Sequence, residues 1–283
     1  MIYQHEIPKG ARLYFNGSAR LKRAIEQRAS EVLYKYGFEE IVTPYFSYHQ
    51  HKILEDETEL IRLGDEKNRK LTIRADSTVD VVRLITNRLG RSTKHKRWFY
   101  IQPVFRYPTQ EFYQIGAEVL EGKRSGENLK IVLEILAQLG ITPILQLSNI
   151  KIPKILSQKY GIDIEIFKEL DLDRLLACEH SWMEPLLELQ SVEEIDDLVG
   201  ILPQEIEVEL MKIKELAQFI NYDNTIIAPL YYANMRYYKD LFFRFFIHNN
   251  TIATGGDYET QEIMASGFAI YTDQLIALME KGE

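Results

Sequence analysis

The sequence predicts an α+β fold in which an antiparallel sheet is flanked by helices and carries a helical insertion. Two aromatic-rich runs, Trp98–Tyr107 and Phe112–Leu120, are separated by only four residues, a link too short for a parallel crossover. More β-prone runs with short links follow residue 224. Runs with helical periodicity alternate with these strands, which favours an α+β arrangement over a doubly wound parallel sheet.

The segment before the aromatic hairpin is predicted to contain two helices and two short strands. Apolar residues recur with a helical period from Gly17 to Tyr36, and Gly37 suits the end of that helix. The second helix is expected to begin at a cap formed by Asp76 or Ser77 and to extend to Leu89. The two predicted strands are Glu39–Pro44 and Arg69–Ala75.

The segment after the hairpin is predicted to form a helix and a strand, then the insertion, then the rest of the sheet. Residues of about 151–222 are rich in Leu, Ile and Glu and poor in aromatic residues, and Pro185 and Pro203 divide them into short helices. The remaining predicted elements are the helix Asn128–Leu139, the strands Thr142–Leu147, Thr225–Tyr232, Asp240–His248 and Thr251–Thr254, and the helix Asp273–Glu280.

Composition excludes several classes of protein. The 283 residues carry a formal net charge of −8, whereas a dedicated nucleic-acid coat usually shows a basic domain or stripe. The one cysteine, Cys178, excludes an internal disulfide framework and a zinc site made of cysteines alone. Because no run approaches the ~18 apolar residues of a membrane span and the N-terminus lacks a signal-peptide layout, we expect a cytoplasmic protein without a membrane partner.

The common catalytic motifs are absent from the sequence. It contains no Walker A run, no G-x-G-x-x-G, no H-E-x-x-H and no G-x-S-x-G. Cys178, Glu179 and His180 are three adjacent potential ligands, but their spacing does not suit zinc, so a packing or surface role is favoured over a metal site. The basic run Lys94–Arg97 is interpreted as a solvated loop, with an anion or RNA contact as the alternative.

The insertion is strongly acidic. Solvated helix faces are the favoured interpretation of these carboxylates, and a partner surface is the alternative. The acidic positions considered are Glu184, Glu188, Glu193, Glu194, Asp196, Asp197, Glu205, Glu207 and Glu209.

Four segments together indicate a known family. They are Gly37–Pro44 after a long helix, Ile73–Arg83, Phe105–Tyr107 followed by Glu111–Glu118, and Ala253–Tyr258 followed by Gly267–Ile270. In this order and spacing they resemble the catalytic core of class II aminoacyl-tRNA synthetases, in particular histidyl-tRNA synthetase. Within that group the chain is most similar to the non-synthetase paralogues that serve as regulatory subunits of ATP phosphoribosyltransferase. The resemblance extends over nearly the whole chain.

The resemblance implies a domain organisation and a dimer. Residues 1–283 would form one class II synthetase-like core with the insertion at about 151–222, and no anticodon-binding domain is expected. The family's first motif ends in a proline at a dimer interface, and Pro44 occupies that position. A homodimer through residues 17–44 is therefore expected.

The resemblance also implies that the groups directed at ATP are lost. Arg106 matches the arginine that begins the second motif, but only Pro108–Glu111 replaces the arginine-containing loop that follows it. Gln274 occupies the place of the arginine in the third motif, and a neutral amide cannot replace a bidentate cation. Ala233 stands where the histidine-specific motif has its arginine, and Arg236 replaces its acidic residue. We expect no catalytic residues, no cofactor and no metal.

The amino-acid side of the family's pocket is retained. Gln114 and Glu118 match the family's F-x-Q-x-G-x-E strand, and their even separation places them on one face. The alternative is a relic of buried polar residues kept for stability. The candidate contacts to histidine or another amino acid are Asp76, Thr78, Arg106, Gln114, Glu118, Tyr237 and Tyr238.

The function implied by the resemblance is regulatory. The chain would bind and activate the short-form catalytic subunit of ATP phosphoribosyltransferase, in a hetero-oligomer, in the first step of histidine biosynthesis, and take part in histidine feedback. An amino-acid ligase of the same fold, acting without tRNA, is an alternative that the missing arginines disfavour. An amino-acid sensor with another partner is a third possibility. The acidic pI near 5.4 disfavours a nucleic-acid partner.

Overall fold

The computed structural model describes residues 6–48, 50, 57–233, 238–260 and 262–281. Its strands are β1 Glu39–Glu40, β2 Phe46–Ser47, β3 Arg62–Gly64, β4 Lys70–Ile73, β5 Arg97–Arg106, β6 Gln110–Leu120, β7 Ile144–Asn149, β8 Thr225–Ile227, β9 Tyr238–Ile247, β10 Asn250–Thr260 and β11 Ile263–Tyr271. Its α-helices are α1 Asn16–Lys35, α2 Thr78–Leu84, α3 Ser125–Gln138, α4 Lys151–Tyr160, α5 Ile164–Glu169, α6 Leu172–Leu176, α7 Met183–Glu188, α8 Gln204–Ile220 and α9 Thr272–Lys281.

An eight-stranded sheet of order β1-β5-β6-β11-β10-β9-β7-β8 forms the centre of the described chain. The aromatic hairpin is present as predicted, with β5 and β6 antiparallel from Arg97–Val119 to Arg106–Gln110. The sheet is mixed rather than wholly antiparallel, because the edge pairs β1–β5 and β7–β8 are parallel. Each of these edge pairs is joined through intervening helices, and a parallel pair requires such a long connection. A second, three-stranded sheet has the order β2-β4-β3.

The two faces of the large sheet are covered differently. On one face, helices α1, α3 and α9 pack over alternate residues of the hairpin such as Phe99 and Ala117. On the other face, α2 packs over the intervening residues, among them Tyr100. This alternation follows from the two-residue period of a strand and leaves polar side chains of the second face around an open space.

The insertion consists of α4 to α8, together with a 3₁₀ turn at Glu193–Leu198. Helix α8 packs on β7 and on α3, so its buried residues Ile206, Leu210 and Ile213 belong to the same core as the sheet. Pro203 immediately precedes α8, where it costs no helical hydrogen bond. The insertion is therefore continuous with the core of the sheet.

Several element boundaries differ from those expected. The strand expected at Thr225–Tyr232 ends at Ile227. The helix expected to extend to Leu89 is an α-helix to Leu84 and a π-helical turn over Ile85–Leu89. Strand β11 follows β10 closely, and residues 263–271 are largely small and apolar, so their sequence lacks a clear alternation of polar and apolar residues.

None of the helices of the described residues is long and apolar enough to cross a bilayer.

Candidate functional site

A cavity of about 650 Å³ brings together six of the seven residues expected to contact an amino acid. These six are Asp76, Thr78, Arg106, Gln114, Glu118 and Tyr238. They come from the start of α2, from the hairpin and from β9, which are remote in the sequence and adjacent in the fold. The seventh, Tyr237, lies outside the described residues, as does Arg236.

The register of the hairpin sets the floor of the cavity. Gln102 pairs with Gln114, Tyr100 with Gly116, and Trp98 with Glu118. Since side chains alternate along a strand, Gln114 and Glu118 project from one face, and both line the cavity, as their even separation predicted. The tight hairpin therefore determines which side chains reach the site.

Glu118 is the most deeply placed polar group of the cavity, with no exposed surface. Tyr258 Oη donates to its Oε2 at 2.7 Å, and Tyr100 Oη donates to its Oε1 at 3.1 Å. The space for the carboxyl group exists because residue 267 is glycine. A Cβ atom at Gly267 would lie 1.8 Å from Glu118 Oε2, far inside van der Waals contact.

Burial raises the pKa of Glu118 from 4.5 to about 8. Hydrogen bonds from Tyr258, Thr78 and Tyr100 favour the charged form and oppose this change, while the nearby Asp76 adds to it. Burial also raises the pKa of the Tyr100 and Tyr258 hydroxyls well above the ordinary value, so both remain hydrogen-bond donors. At neutral pH the Glu118 carboxyl is largely protonated and can donate a hydrogen bond to a ligand.

The start of α2 positions Asp76 and Thr78 at the cavity wall. Asp76 Oδ1 accepts a hydrogen bond from Val79 N at 3.2 Å, the pattern of a helix cap. The side chain of Gln50 holds the same segment from outside the helix, because its Oε1 accepts from Ala75 N at 3.1 Å and from Asp76 N at 3.0 Å. The N-cap position is Ser77, as one of the two predicted alternatives, but its side chain makes no capping hydrogen bond, and Asp76 supplies that bond instead.

Arg106 is the one cationic side chain among the described residues that line the cavity. Its Nε donates to Ala75 O at 3.0 Å, and its Nη1 forms an ion pair with Glu59. Four carboxyl groups line the same space, from Glu59, Asp76, Glu118 and Asp273. The cavity thus favours a ligand with ammonium or ring N–H donors over a polyanion.

Aromatic side chains form another wall. The ring of Tyr238 meets Phe242 edge-on, with centroids 4.8 Å apart, and Tyr258 edge-on at 6.5 Å. Tyr231 and Tyr271 also line the cavity, and the Tyr271 hydroxyl lies 3.0 Å from Thr254 Oγ1. Such a wall suits a small planar ring.

The two positions that the resemblance assigns to lost arginines are also at the cavity. Ala233 is buried in its lining, and Gln274 lies at the first turn of α9. The neighbouring Asp273 Oδ2 accepts from Tyr113 N at 2.7 Å, and its Oδ1 accepts from the Tyr14 hydroxyl. These contacts fix the helix that presents Gln274.

Sequence reasoning missed Tyr100, Tyr258 and Gly267 as parts of this site. A partial signal for Tyr100 was present in the hairpin, because a short link restricts the register, and the observed register places Tyr100 beside Gly116. Gly116 is the position that makes room for the Tyr100 ring, since a Cβ there would lie 2.2 Å from Cζ. Tyr258 and Gly267 depend on the order of β6, β11 and β10, which the sequence does not encode locally.

The other sequence candidates lie away from the cavity. His180 stacks on Trp182 with centroids 4.8 Å apart, and Cys178 is half-buried beside Arg174 O. In the described part of the chain, no group of three or more His, Cys, Asp or Glu residues could hold a metal ion. In the basic run, Lys96 and Arg97 pair with carboxylates of Glu121 and Glu127.

The comparison with solved structures defines the class of protein. An ATP phosphoribosyltransferase regulatory subunit/histidyl-tRNA synthetase structure from Bacillus halodurans C superposes with a TM-score of 0.85 over 98% of this chain and 83% of that chain, at 18% identity. The family model for histidyl-tRNA synthetase matches residues 12–275. The chain therefore has the histidyl-tRNA synthetase-like fold of the class II synthetases, as the sequence predicted.

Two relatives define the family within that class. An ATP phosphoribosyltransferase regulatory subunit of Wolinella succinogenes is 47% identical over 276 residues, 98% of this chain and 96% of that protein. One from Helicobacter hepaticus is 41% identical over 276 residues, 98% of both chains. The chain belongs to the ATP phosphoribosyltransferase regulatory subunit family.

Proposed function

We propose that this chain is a non-catalytic subunit that binds the short-form catalytic chain of ATP phosphoribosyltransferase and activates it. The observation that carries the proposal is the identity of 47% and 41% to regulatory subunits over nearly the full chain. Activation is a coupling free energy, in which assembly favours the active state of the catalytic chain. The protein would then act in the first step of histidine biosynthesis.

The composition of the cavity supports a non-catalytic role. Adenylation of an amino acid requires cations on the phosphates of ATP. Among the described lining residues only Arg106 is cationic, and its charge is already engaged by Glu59. Ala233 and Gln274 are neutral and line the cavity at the two positions that the family resemblance assigns to arginines. The triphosphate of ATP would lie beside four carboxyl groups, and few positive charges would offset the electrostatic repulsion.

We propose further that the cavity binds histidine and that this binding mediates feedback. Asp76 can accept hydrogen bonds from the ammonium group, and Arg106 can exchange Glu59 for the ligand carboxylate. At the closed end, protonated Glu118 can donate to an unprotonated imidazole nitrogen, or accept from an imidazole N–H once ionised. Tyr238 offers an aromatic wall for the ring, and we assign Gln114, Thr78 and Tyr237 as further contacts.

The proposed function is tested by reconstitution. The rate of ATP phosphoribosyl transfer is measured for the purified catalytic chain alone and with increasing amounts of this chain. The proposal predicts a rise in rate that saturates at a fixed stoichiometry, together with co-elution in size-exclusion chromatography. An unchanged rate without co-elution would overturn it. Pyrophosphate exchange by this chain with ATP and any amino acid would instead establish an amino-acid ligase.

We also propose a homodimer through residues 17–44. Val42 is 81% exposed in the single chain, and Tyr34, Tyr45 and Phe46 are exposed close by in the sequence. Apolar side chains exposed together are typical of an interface. Val42→Glu should shift sedimentation of the chain towards a monomer, whereas Leu172→Glu, at a site in the insertion that is 56% exposed, should not. A dimer that persists in both variants would contradict this interface.

A further inference from the structure

The charge of the chain is divided unevenly between the insertion and the rest. Residues 151–222 contain 16 acidic and 7 basic residues, whereas the remaining residues contain 26 acidic and 27 basic ones. The insertion therefore carries a net charge of −9 and the rest +1. An acidic region of this kind attracts a partner of opposite sign and speeds its approach.

The same insertion exposes large apolar side chains at the start of α8. Val199, Ile201, Val208 and Met211 are 55%, 54%, 50% and 36% exposed. We call these four residues the α8 patch. A solvated acidic helix face would account for the carboxylates but not for these side chains, and clustered exposed apolar groups are typical of protein-binding surfaces.

The geometry brings the turn that carries two of these residues to the first turns of α8, which carry the other two. Val208 and Met211 are three positions apart on α8 and so share one face of the helix. The turn that carries Val199 and Ile201 lies against the same end of α8, because Gly200 N donates to Glu207 Oε1 at 2.5 Å. Lys214 of α8 forms an ion pair with Asp196, and this contact holds the preceding 3₁₀ turn against the helix. Val199 and Ile201 therefore lie next to the helix turn that exposes Val208.

Carboxylates lie on one side of the α8 patch. Asp196 and Asp197 precede it in the 3₁₀ turn, and Glu207 in the first turn of α8 accepts the hydrogen bond from Gly200 N. The side chain of Asp196 remains 64% exposed even with its lysine partner. An apolar centre with an acidic rim matches a partner surface with an apolar centre and a basic rim.

We infer that the α8 patch docks the phosphoribosyltransferase catalytic chain through a surface of that complementary kind. The inference rests on the proposed function, because it assigns a surface to the partner proposed there. The patch lies on the insertion, whereas the cavity is lined by the hairpin, α2, β9, β10 and β11. The proposed docking surface and the cavity are therefore formed by different residues.

The test is the affinity of the purified catalytic chain for the full-length protein, measured by biolayer interferometry. The variants are Val208→Lys and Met211→Lys, which place a cation in the apolar centre and against the basic rim of the partner. Leu172→Lys is the matched control, because Leu172 is 56% exposed in the same insertion but outside the α8 patch. Both patch variants should weaken binding about tenfold or more, and the control should not. Binding should also weaken with added salt.

The possible outcomes distinguish failure of the proposed docking surface from failure of the proposed regulatory function. If the wild-type chain binds and both patch variants bind equally well, the docking surface is wrong and the regulatory function stands. If Leu172→Lys weakens binding as much as the patch variants, the loss of affinity comes from added positive charge in general, and the specific docking surface is wrong. If the wild-type chain does not bind at all, the proposed function and the docking surface both fail. Circular dichroism of each variant checks that α8 remains folded.

Discussion

At the scale of single residues, Glu118 determines how the cavity responds to pH. Its folded-state pKa of about 8 lies above the ordinary value of 4.5, mainly because the group is buried. The folded chain therefore holds a proton that the unfolded chain releases once the pH exceeds about 4.5. Because the unfolded state binds fewer protons, the free energy of unfolding falls as pH rises from there through the folded pKa of about 8.

Replacing Glu118 with glutamine should remove this pH dependence. Between about pH 5 and about pH 8 the wild-type chain should lose about 3 kcal/mol more stability than Glu118→Gln, since glutamine does not titrate. Urea unfolding of both proteins across this range measures the difference. Curves that change in parallel for the two proteins would contradict the raised pKa of Glu118.

The second residue-scale prediction concerns the glycine beside this carboxyl group. A methyl group at Gly267 would lie 1.8 Å from Glu118 Oε2 and 2.7 Å from Ala117 O. Gly267→Ala should therefore lower the free energy of unfolding by about 1–3 kcal/mol, the usual cost of overpacking. Gly17→Ala is the control, because Gly17 lies in α1 with no atom within 4 Å of its added Cβ. Equal denaturation midpoints for the wild type and Gly267→Ala would show that the site is less closely packed.

At the scale of elements, Arg74 connects the small sheet to the hairpin. It is fully buried after β4, and its Nη1 donates to Thr43 O at 3.0 Å. Its Nε and Nη2 donate to Pro103 O in β5 at 2.9 and 2.6 Å. The guanidinium thus satisfies backbone carbonyl groups of two separate segments. The planar fork of arginine allows this, whereas the single ammonium of lysine does not.

Arg74→Lys should accordingly destabilise the chain. The loss of forked hydrogen bonds to buried carbonyl oxygens should lower the free energy of unfolding by about 2–4 kcal/mol. Arg69→Lys nearby, where the arginine side chain of the ion pair is 60% exposed, should change stability less, because solvent-exposed pairs contribute weakly. Thermal denaturation of both variants measures the contrast. Similar small shifts for the two would show that Arg74 does not connect the sheets in this way.

The elements that the sequence predicted best are those with a strong local signal. The hairpin, α1, α3 and α9 have clear periodicity or a short link, and all four are present. Strand β3 contains only Arg62–Gly64, which is too short for any periodicity. The parallel edges and the order of β6, β11 and β10 depend on contacts distant in sequence. For the site, motif matches placed six of the seven candidates around one cavity, but their role as ligand contacts remains a proposal.

At the scale of the whole molecule, three regions divide the proposed work. In the proposed function, the cavity on one face of the sheet would bind the amino acid, the α8 patch on the acidic insertion would bind the catalytic chain, and residues 17–44 would pair with a second copy. Helix α8 packs on β7, and β7 pairs with β9, which begins at the cavity residue Tyr238. Packed elements therefore connect the proposed docking surface to the cavity, and the feedback measurement below tests whether the two sites are coupled.

The measurement that tests this account most directly is feedback in the reconstituted complex. The rate of ATP phosphoribosyl transfer is followed at increasing histidine with the wild-type chain, with Glu118→Gln and with Glu121→Gln, an exposed control three residues further along the chain. The account predicts inhibition at the same histidine concentration for the wild type and the control, and a need for about tenfold more histidine with Glu118→Gln. Inhibition of all three complexes at one histidine concentration, or of none, would contradict it.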